Sequence, residues 1–245
     1  LIKHISSFLE YCELEKGLAE QSIKNYAHFL SPFQKWLRQE SLLALKPHEF
    51  DAEHVWQYRL YLSRQLKIKK TTQVYYLISL RGLLSYFAER DITSLPQEKI
   101  KLPRLYKEKQ INFLNLAEIE RLLTASDIKT KTGLRDRAIL ETFFSTGLRV
   151  AELATLKRQQ FNFAKLKKEK ADGLELQIVG KGGYPRTVYF SERALDWLIK
   201  YVESRNEVNE ALFSLTTRSI ERIVSKNAIA AGISKRVTPH MLRHS

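Results

Sequence analysis

Residues Ser145–Leu156 read STGLRVAELATL, with a glycine, an arginine and a glutamate spaced over six positions. Gly147 permits a tight turn between two helices, because glycine reaches the left-handed backbone region that other residues avoid. Arg149 then stands at the start of the second helix, where amide N–H groups favour an anion and a guanidinium can grip two of its oxygens. Glu152 follows three residues later on the same face and can hold Arg149 in one rotamer. The competing reading is an ordinary ion pair on a helix surface.

Downstream, GLELQIVG and RTVYF alternate in polarity, and KGGYP between them marks the turn of an antiparallel hairpin. Lys181 sits in that turn among glycines, which let the backbone come close to a ligand, or else it is a solvated turn lysine. The stretch GKGGYPR lacks the spacing of a Walker-type phosphate loop. FNFAKL is expected to add a strand. SERALDWLIKYVESR and TTRSIERIVSKNAIAAG are expected to be helices. The chain then stops on VTPHMLRHS, where Thr238 caps and Pro239 opens another helix. His240 falls in its first turn and Arg243 lies one turn on. His240 and His244 have the spacing of a metal pair, but no third ligand is evident, so no metal is expected.

Upstream, the first hundred residues carry helical periodicity. Ile2, Ile5, Phe8, Leu9 and Cys12 share one face, and Gly17 stops that helix. Ile23, Tyr26, Leu30, Phe33, Trp36 and Leu37 share the next, which Pro32 should kink or split at Ser31. Asp51 should cap a third helix, and Thr71 or Thr72 a fourth. Four such helices form a small bundle. KIKLPRLYKEKQ lacks periodicity and reads as a basic linker. Asn115 with Glu118 then makes a capping-box variant. The expected organisation is a helical domain over 1–98, a linker over 99–112, and a second domain over 113–245.

Lys and Arg number 41 against 27 Asp and Glu, a formal charge of +14, which points to a polyanionic partner, nucleic acid foremost. Residues 1–106 hold 16 basic and 11 acidic side chains, and the remainder holds 25 and 16, so both parts are basic. Cys12 is the only cysteine, which excludes an internal disulfide and fits a reducing compartment. No signal-peptide pattern or long uncharged apolar run is present. The chain begins at Leu1 without Met, so preceding residues are expected.

TGLRVAEL, GKGGYPR and HMLRHS, in that order, resemble the motifs of the tyrosine site-specific recombinases, which include phage integrases and XerC/XerD-type proteins. LAEQSIKNYAHFLSPFQKWL and TTQVYYLISLRGLLSYF resemble that family's core-binding domain. The resemblance covers essentially the whole chain. It implies a mainly α fold with a small antiparallel β-sheet. An N-terminal four-helix, SAM-like core-binding domain would precede a catalytic domain truncated before the nucleophilic tyrosine. It implies catalytic roles for Arg149, Lys181, His240 and Arg243, with Glu152 supporting. Basic residues Lys67, Lys69, Lys70, Arg81, Lys101, Arg104 and Arg186 are candidates for DNA contact. Tyr184 stands where many members carry a second basic residue. The family's nucleophile lies beyond its counterpart of His240. Tyr184, Tyr189 and Tyr201 precede His240, so none fits. The resemblance further implies double-stranded DNA as partner, a tetramer of identical chains on paired sites, no cofactor, no membrane and a cytoplasmic location. Two other readings remain. A non-cleaving DNA-binding protein could use the same scaffold, and a type IB topoisomerase would use similar chemistry.

Overall fold

The computed structural model describes residues 1–104, 113–169, 173–180, 183–205 and 209–244. The chain divides into two compact units, Leu1–Lys109 and Gln110–Ser245.

The first unit contains four α-helices: α1 His4–Leu14, α2 Glu20–Gln39, α3 Ala52–Leu60 and α4 Lys70–Glu89. One wider turn, Tyr61–Gln65, extends α3. Their apolar faces meet in a shared core. Phe33 packs edge-on against Phe50 and Tyr58, with ring centres 5.6 and 5.1 Å apart, and stacks on Trp36 at 5.8 Å. Asp51 caps α3 as expected, its Oδ1 accepting the His54 amide at 3.0 Å.

Of the kink or split allowed at Pro32, the split does not occur, and the expected threonine cap of the fourth helix is absent. Helix α2 is not split at Ser31 but runs through Pro32. An interior proline costs about 3 kcal/mol through its missing N–H and ring clash. Leu30, Phe33, Trp36 and Leu37 are all buried around it, each contributing about 1.5–3 kcal/mol, so packing outweighs the proline. Neither Thr71 nor Thr72 caps α4, which starts at Lys70 after an extended Lys69. The chain has already turned at Lys67 (φ 49°), and the Thr72 amide donates to the Lys69 carbonyl at 2.8 Å.

The second unit holds seven α-helices, one short 3-10 helix at Arg158–Gln160 and one hairpin among its described residues. The helices are α5 Leu116–Thr124, α6 Lys131–Thr146, α7 Val150–Ala154, α8 Phe163–Glu169, α9 Glu192–Glu203, α10 Thr217–Ala230 and α11 Pro239–His244. The hairpin pairs β1 Gly173–Val179 with β2 Pro185–Ser191, in register from Gly173–Ser191 to Val179–Pro185. Leu174, Leu176, Ile178, Val188 and Phe190 face a core formed with α5, α6, α9 and α10. Asn115 and Glu118 form the expected reciprocal cap of α5, at 2.9 and 2.8 Å. FNFAKL is not a strand. Asn162 accepts the Lys165 amide at 3.0 Å and starts α8, while Phe161 and Leu166 enter the core. An Asn cap with apolar residues five apart outcompetes a short alternating pattern.

A buried ion network ties α6 to α9. Glu141 accepts from Arg137 at 2.7 Å and from Arg193 at 2.8 Å, and Arg193 also reaches Glu120 at 3.1 Å. The Arg137 guanidinium stacks 4.8 Å from the Trp197 ring centre. Burial lowers the Arg137 pKa from its ordinary value, and Glu141 opposes that effect.

Candidate active site

The turn between α6 and α7 builds the site. Gly147 adopts φ +58° and its amide donates to Phe143 at 2.9 Å, which ends α6 in the left-handed cap. Arg243 Cγ lies 3.6 Å from the Cβ position of Gly147, an ordinary contact, so it is the positive φ that favours glycine here. Leu148 is buried and anchors the turn. Arg149 follows as the residue preceding α7, half-exposed and free to reach outward.

Glu152 holds Arg149 twice. Its Oε2 accepts the Arg149 amide at 2.7 Å and its Oε1 accepts Arg149 Nη1 at 2.9 Å. Arg186, on β2, donates Nη2 to the same Oε2 at 2.7 Å. Burial alone pushes the Glu152 carboxyl up. The hydrogen bonds from the Arg149 amide, Arg186 and Arg149 together outweigh burial and hold its pKa below the ordinary glutamate value. The carboxylate therefore stays ionised.

Helix α11 brings the second half. Thr238 Oγ1 accepts the Met241 amide at 3.3 Å, as its place before Pro239 predicts. Leu242 is buried in the core, which fixes the rotation of the helix. Leu148, Arg149, Val150, Glu221, Thr238, Pro239, His240 and Arg243 then line one cleft of about 300 Å³. The Nη1 of Arg243 is buried and has no hydrogen-bond partner within the protein. Buried donors are nearly always paired, so this N–H is poised for a ligand oxygen. Two guanidiniums and an imidazole around one cleft suit a phosphate-sized anion.

Sequence-selected residues fall into distinct places. Arg149, His240 and Arg243 converge on the cleft, while Arg149, Glu152 and Arg186 form one ion-pair cluster. Arg186, a candidate for DNA contact, is thus engaged with a buried carboxylate. Lys181 and the side chain of His244 lie outside the described residues. In the first unit Lys67, Lys69 and Lys70 are exposed at the turn into α4, Arg81 is half-buried further along that helix, and Lys101 and Arg104 are exposed. Among the described residues no three His, Cys, Asp or Glu side chains gather as a metal site, and no helix is long and apolar enough to cross a membrane. Sequence reasoning missed Glu221, the one carboxylate among the residues lining the cleft. It sits mid-helix with no motif around it. It also missed Ser145, whose Oγ accepts the Ser191 amide at 2.7 Å and donates to the Tyr189 carbonyl at 3.3 Å.

Both units of the chain resemble known proteins. Residues 112–245 match the model of the phage integrase family, and residues 5–94 match the phage integrase N-terminal SAM-like domain. The chain is 30% identical over 250 residues to tyrosine recombinase XerC of Leptospira interrogans serogroup Icterohaemorrhagiae serovar copenhageni (strain Fiocruz L1-130), covering 97% of this chain and 76% of that protein. It is 31% identical over 255 residues to tyrosine recombinase XerD of Lacticaseibacillus casei, covering 98% and 82%. A crystal structure of the XerH site-specific recombinase bound to difH substrate shares the fold, with TM-score 0.69 and 22% identity over 98% of this chain and 72% of that one. The chain belongs to the phage integrase family of site-specific tyrosine recombinases, which are DNA strand transferases, and within it is XerC/XerD-like.

Proposed function

We propose that the Arg149–His240–Arg243 cleft grips the phosphate at which one DNA strand is cut and rejoined. The observation that carries this reading is the unpartnered, buried Arg243 Nη1 in a cleft shared with Arg149 and His240. In the reaction a tyrosine hydroxyl attacks phosphorus. The tyrosine oxygen bonds to phosphorus and gives up its proton, phosphorus keeps its 3′ oxygen as a 3′-phosphotyrosyl link, and the bond to the 5′ oxygen breaks. Negative charge builds on the non-bridging oxygens, where Arg149 and Arg243 neutralise it. His240 orients the phosphate or assists proton transfer. Lys181, in its glycine-rich turn, delivers the proton to the leaving 5′ oxygen. Rejoining reverses these steps with the 5′ hydroxyl of the partner strand. The covalent link conserves the bond energy, so no nucleotide cofactor is required.

On this reading residues 1–98 are the core-binding domain, 99–112 a basic linker and 113–245 the catalytic domain. The two basic domains close on one duplex, four chains act on paired sites, and the reaction runs in the cytoplasm. Exposed Lys67, Lys69, Lys70, Lys101 and Arg104, with Arg81, contact the DNA backbone. Of the tyrosines in the second unit, Tyr201 is buried, and Tyr184 and Tyr189 lie on the hairpin. None of the chain's tyrosines serves as nucleophile.

The test is a labelled duplex carrying a cognate site, resolved under native and denaturing conditions. These 245 residues should shift the duplex, with affinity falling steeply as salt rises because counterions are released on binding. They should leave no adduct under denaturing conditions. A covalent adduct would overturn the assignment of the nucleophile, and salt-independent binding would overturn the backbone contacts.

A further inference from the structure

We infer that Arg186 is a positioning residue that acts through Glu152. It docks the hairpin beside Arg149 and helps the Arg149 amide keep Glu152 Oε2 off the Arg149 guanidinium, so that Glu152 takes one guanidinium nitrogen and leaves the others for the phosphate. This rests on the phosphate reading of the cleft proposed above.

The geometry separates the two oxygens of Glu152. Oε1 receives Arg149 Nη1 at 2.9 Å, while Oε2 receives the Arg149 amide and Arg186 Nη2, both at 2.7 Å. The Glu152 side chain is 8% exposed, so water screens this pairing weakly. Arg149, Glu152 and Arg186 together carry one net positive charge. Without Arg186 they carry none. Oε2 would then be held by the Arg149 amide alone and could swing onto the Arg149 guanidinium beside Oε1, competing directly with a phosphate for the same N–H groups.

Arg186 also joins the hairpin to the α6–α7 turn. The Cβ position of Gly180 lies 3.7 Å from Arg186 Cδ and 3.8 Å from Glu152 Oε1, so the β1 end of the hairpin loop rests against the cluster. At the opposite end of β2, Ser145 holds the Tyr189 carbonyl and the Ser191 amide. The strand is therefore fixed to α6 near its last residues and to α7 near its first. A guanidinium occupied in this way makes a poor independent contact to DNA. Its Nε is buried away from solvent.

The experiment compares the full 245-residue chain with Arg186→Ala, Arg186→Lys, Glu152→Gln and the Glu152→Gln/Arg186→Ala double variant. Two quantities are read: the dissociation constant for inorganic phosphate, with Arg149→Ala as the control for the site, and the Glu152 carboxyl titration by carbon NMR. Arg186→Ala should weaken phosphate about tenfold, the worth of one charge-assisted hydrogen bond. It should also move the Glu152 midpoint upward. Arg186→Lys, which keeps the charge without the fixed fork, should recover most of the affinity. In the Glu152→Gln background, Arg186→Ala should change phosphate affinity by less than about twofold, because the residue it acts through is neutral. A loss that persists in that background would mean that Arg186 touches the anion itself, and would overturn the inference. An unchanged Glu152 titration in Arg186→Ala would overturn it as well. If the unsubstituted chain binds no phosphate, the reading of the cleft fails. The Glu152 titration, which needs no ligand and no Glu152 variant, then decides the inference alone.

Discussion

Arg149 shows how one position combines a turn, an ion pair and a proposed ligand contact. Gly147 lets α6 stop, Leu148 fixes the turn in the core, and Glu152 takes the amide and one guanidinium nitrogen of Arg149. Because its arginine partners hold the Glu152 pKa below the ordinary value of 4.5, its contribution to stability has a definite sign. That contribution is complete above pH 4.5 and is lost as pH falls through the lower folded value. The stability difference between the unsubstituted chain and Glu152→Gln should therefore stay flat above pH 4.5 and shrink only below it, in urea melts across pH. A difference that shrinks above pH 4.5 would contradict the pairing. Lys181 carries a different prediction, since its proposed task is to protonate the leaving oxygen. With sulfur in place of the bridging 5′ oxygen, the leaving group needs no proton. In the full-length recombinase that substrate should largely rescue Lys181→Ala and leave Arg149→Ala impaired. No rescue would place the acid elsewhere. Arg149, Glu152, His240 and Arg243 were legible because each sits in a short motif whose spacing sets its place on a helix. Glu221 was not, because a mid-helix glutamate reaches the cleft only through the packing of α10. Nor was the engagement of Arg186, since the distance between β2 and α7 is a property of the fold rather than of local sequence.

At the scale of elements, periodicity and caps located the helices well wherever the polar end residue was unambiguous. Asp51, Asn115 and Thr238 each accept the amide expected of them. The failures are instructive in the same terms. Pro32 was read by its local penalty alone, and the buried side chains on both sides outweigh it. The short alternation in FNFAKL was read as a strand although Asn162, a residue suited to capping, stood inside it. The network of Glu120, Arg193, Glu141 and Arg137 was invisible beforehand, because its members lie 73 residues apart at the widest pair. It nevertheless fixes α6, and hence the turn that presents Arg149. Glu141 is 2% exposed, and Glu141→Ala would take the carboxylate partner from the buried Arg137 guanidinium and leave Arg193 with Glu120 alone. The expected destabilisation is about 3–5 kcal/mol, read as a lower urea midpoint. A change under about 1 kcal/mol would show that the pairing merely offsets its own desolvation.

For the whole molecule, the formal +14 charge is spread over both units, so either can contribute to holding a polyanion. Charge explains affinity but not chemistry. Many cations share the backbone contacts, and any one of them is replaceable for binding. The cleft is different, because only Arg149, His240 and Arg243 line it as cationic or titratable-to-cation groups. The account therefore separates binding from cleavage at a single residue, and Arg243 is the sharpest place to test the separation. In the full-length recombinase, Arg243→Ala should slow strand cleavage about a hundredfold or more, the usual effect of losing one transition-state donor. DNA affinity, measured at the same salt on the same duplex, should stay within a few-fold of the unsubstituted protein. An equal loss in cleavage and in binding would show that Arg243 only holds DNA, and would contradict the assignment of the cleft to the scissile phosphate.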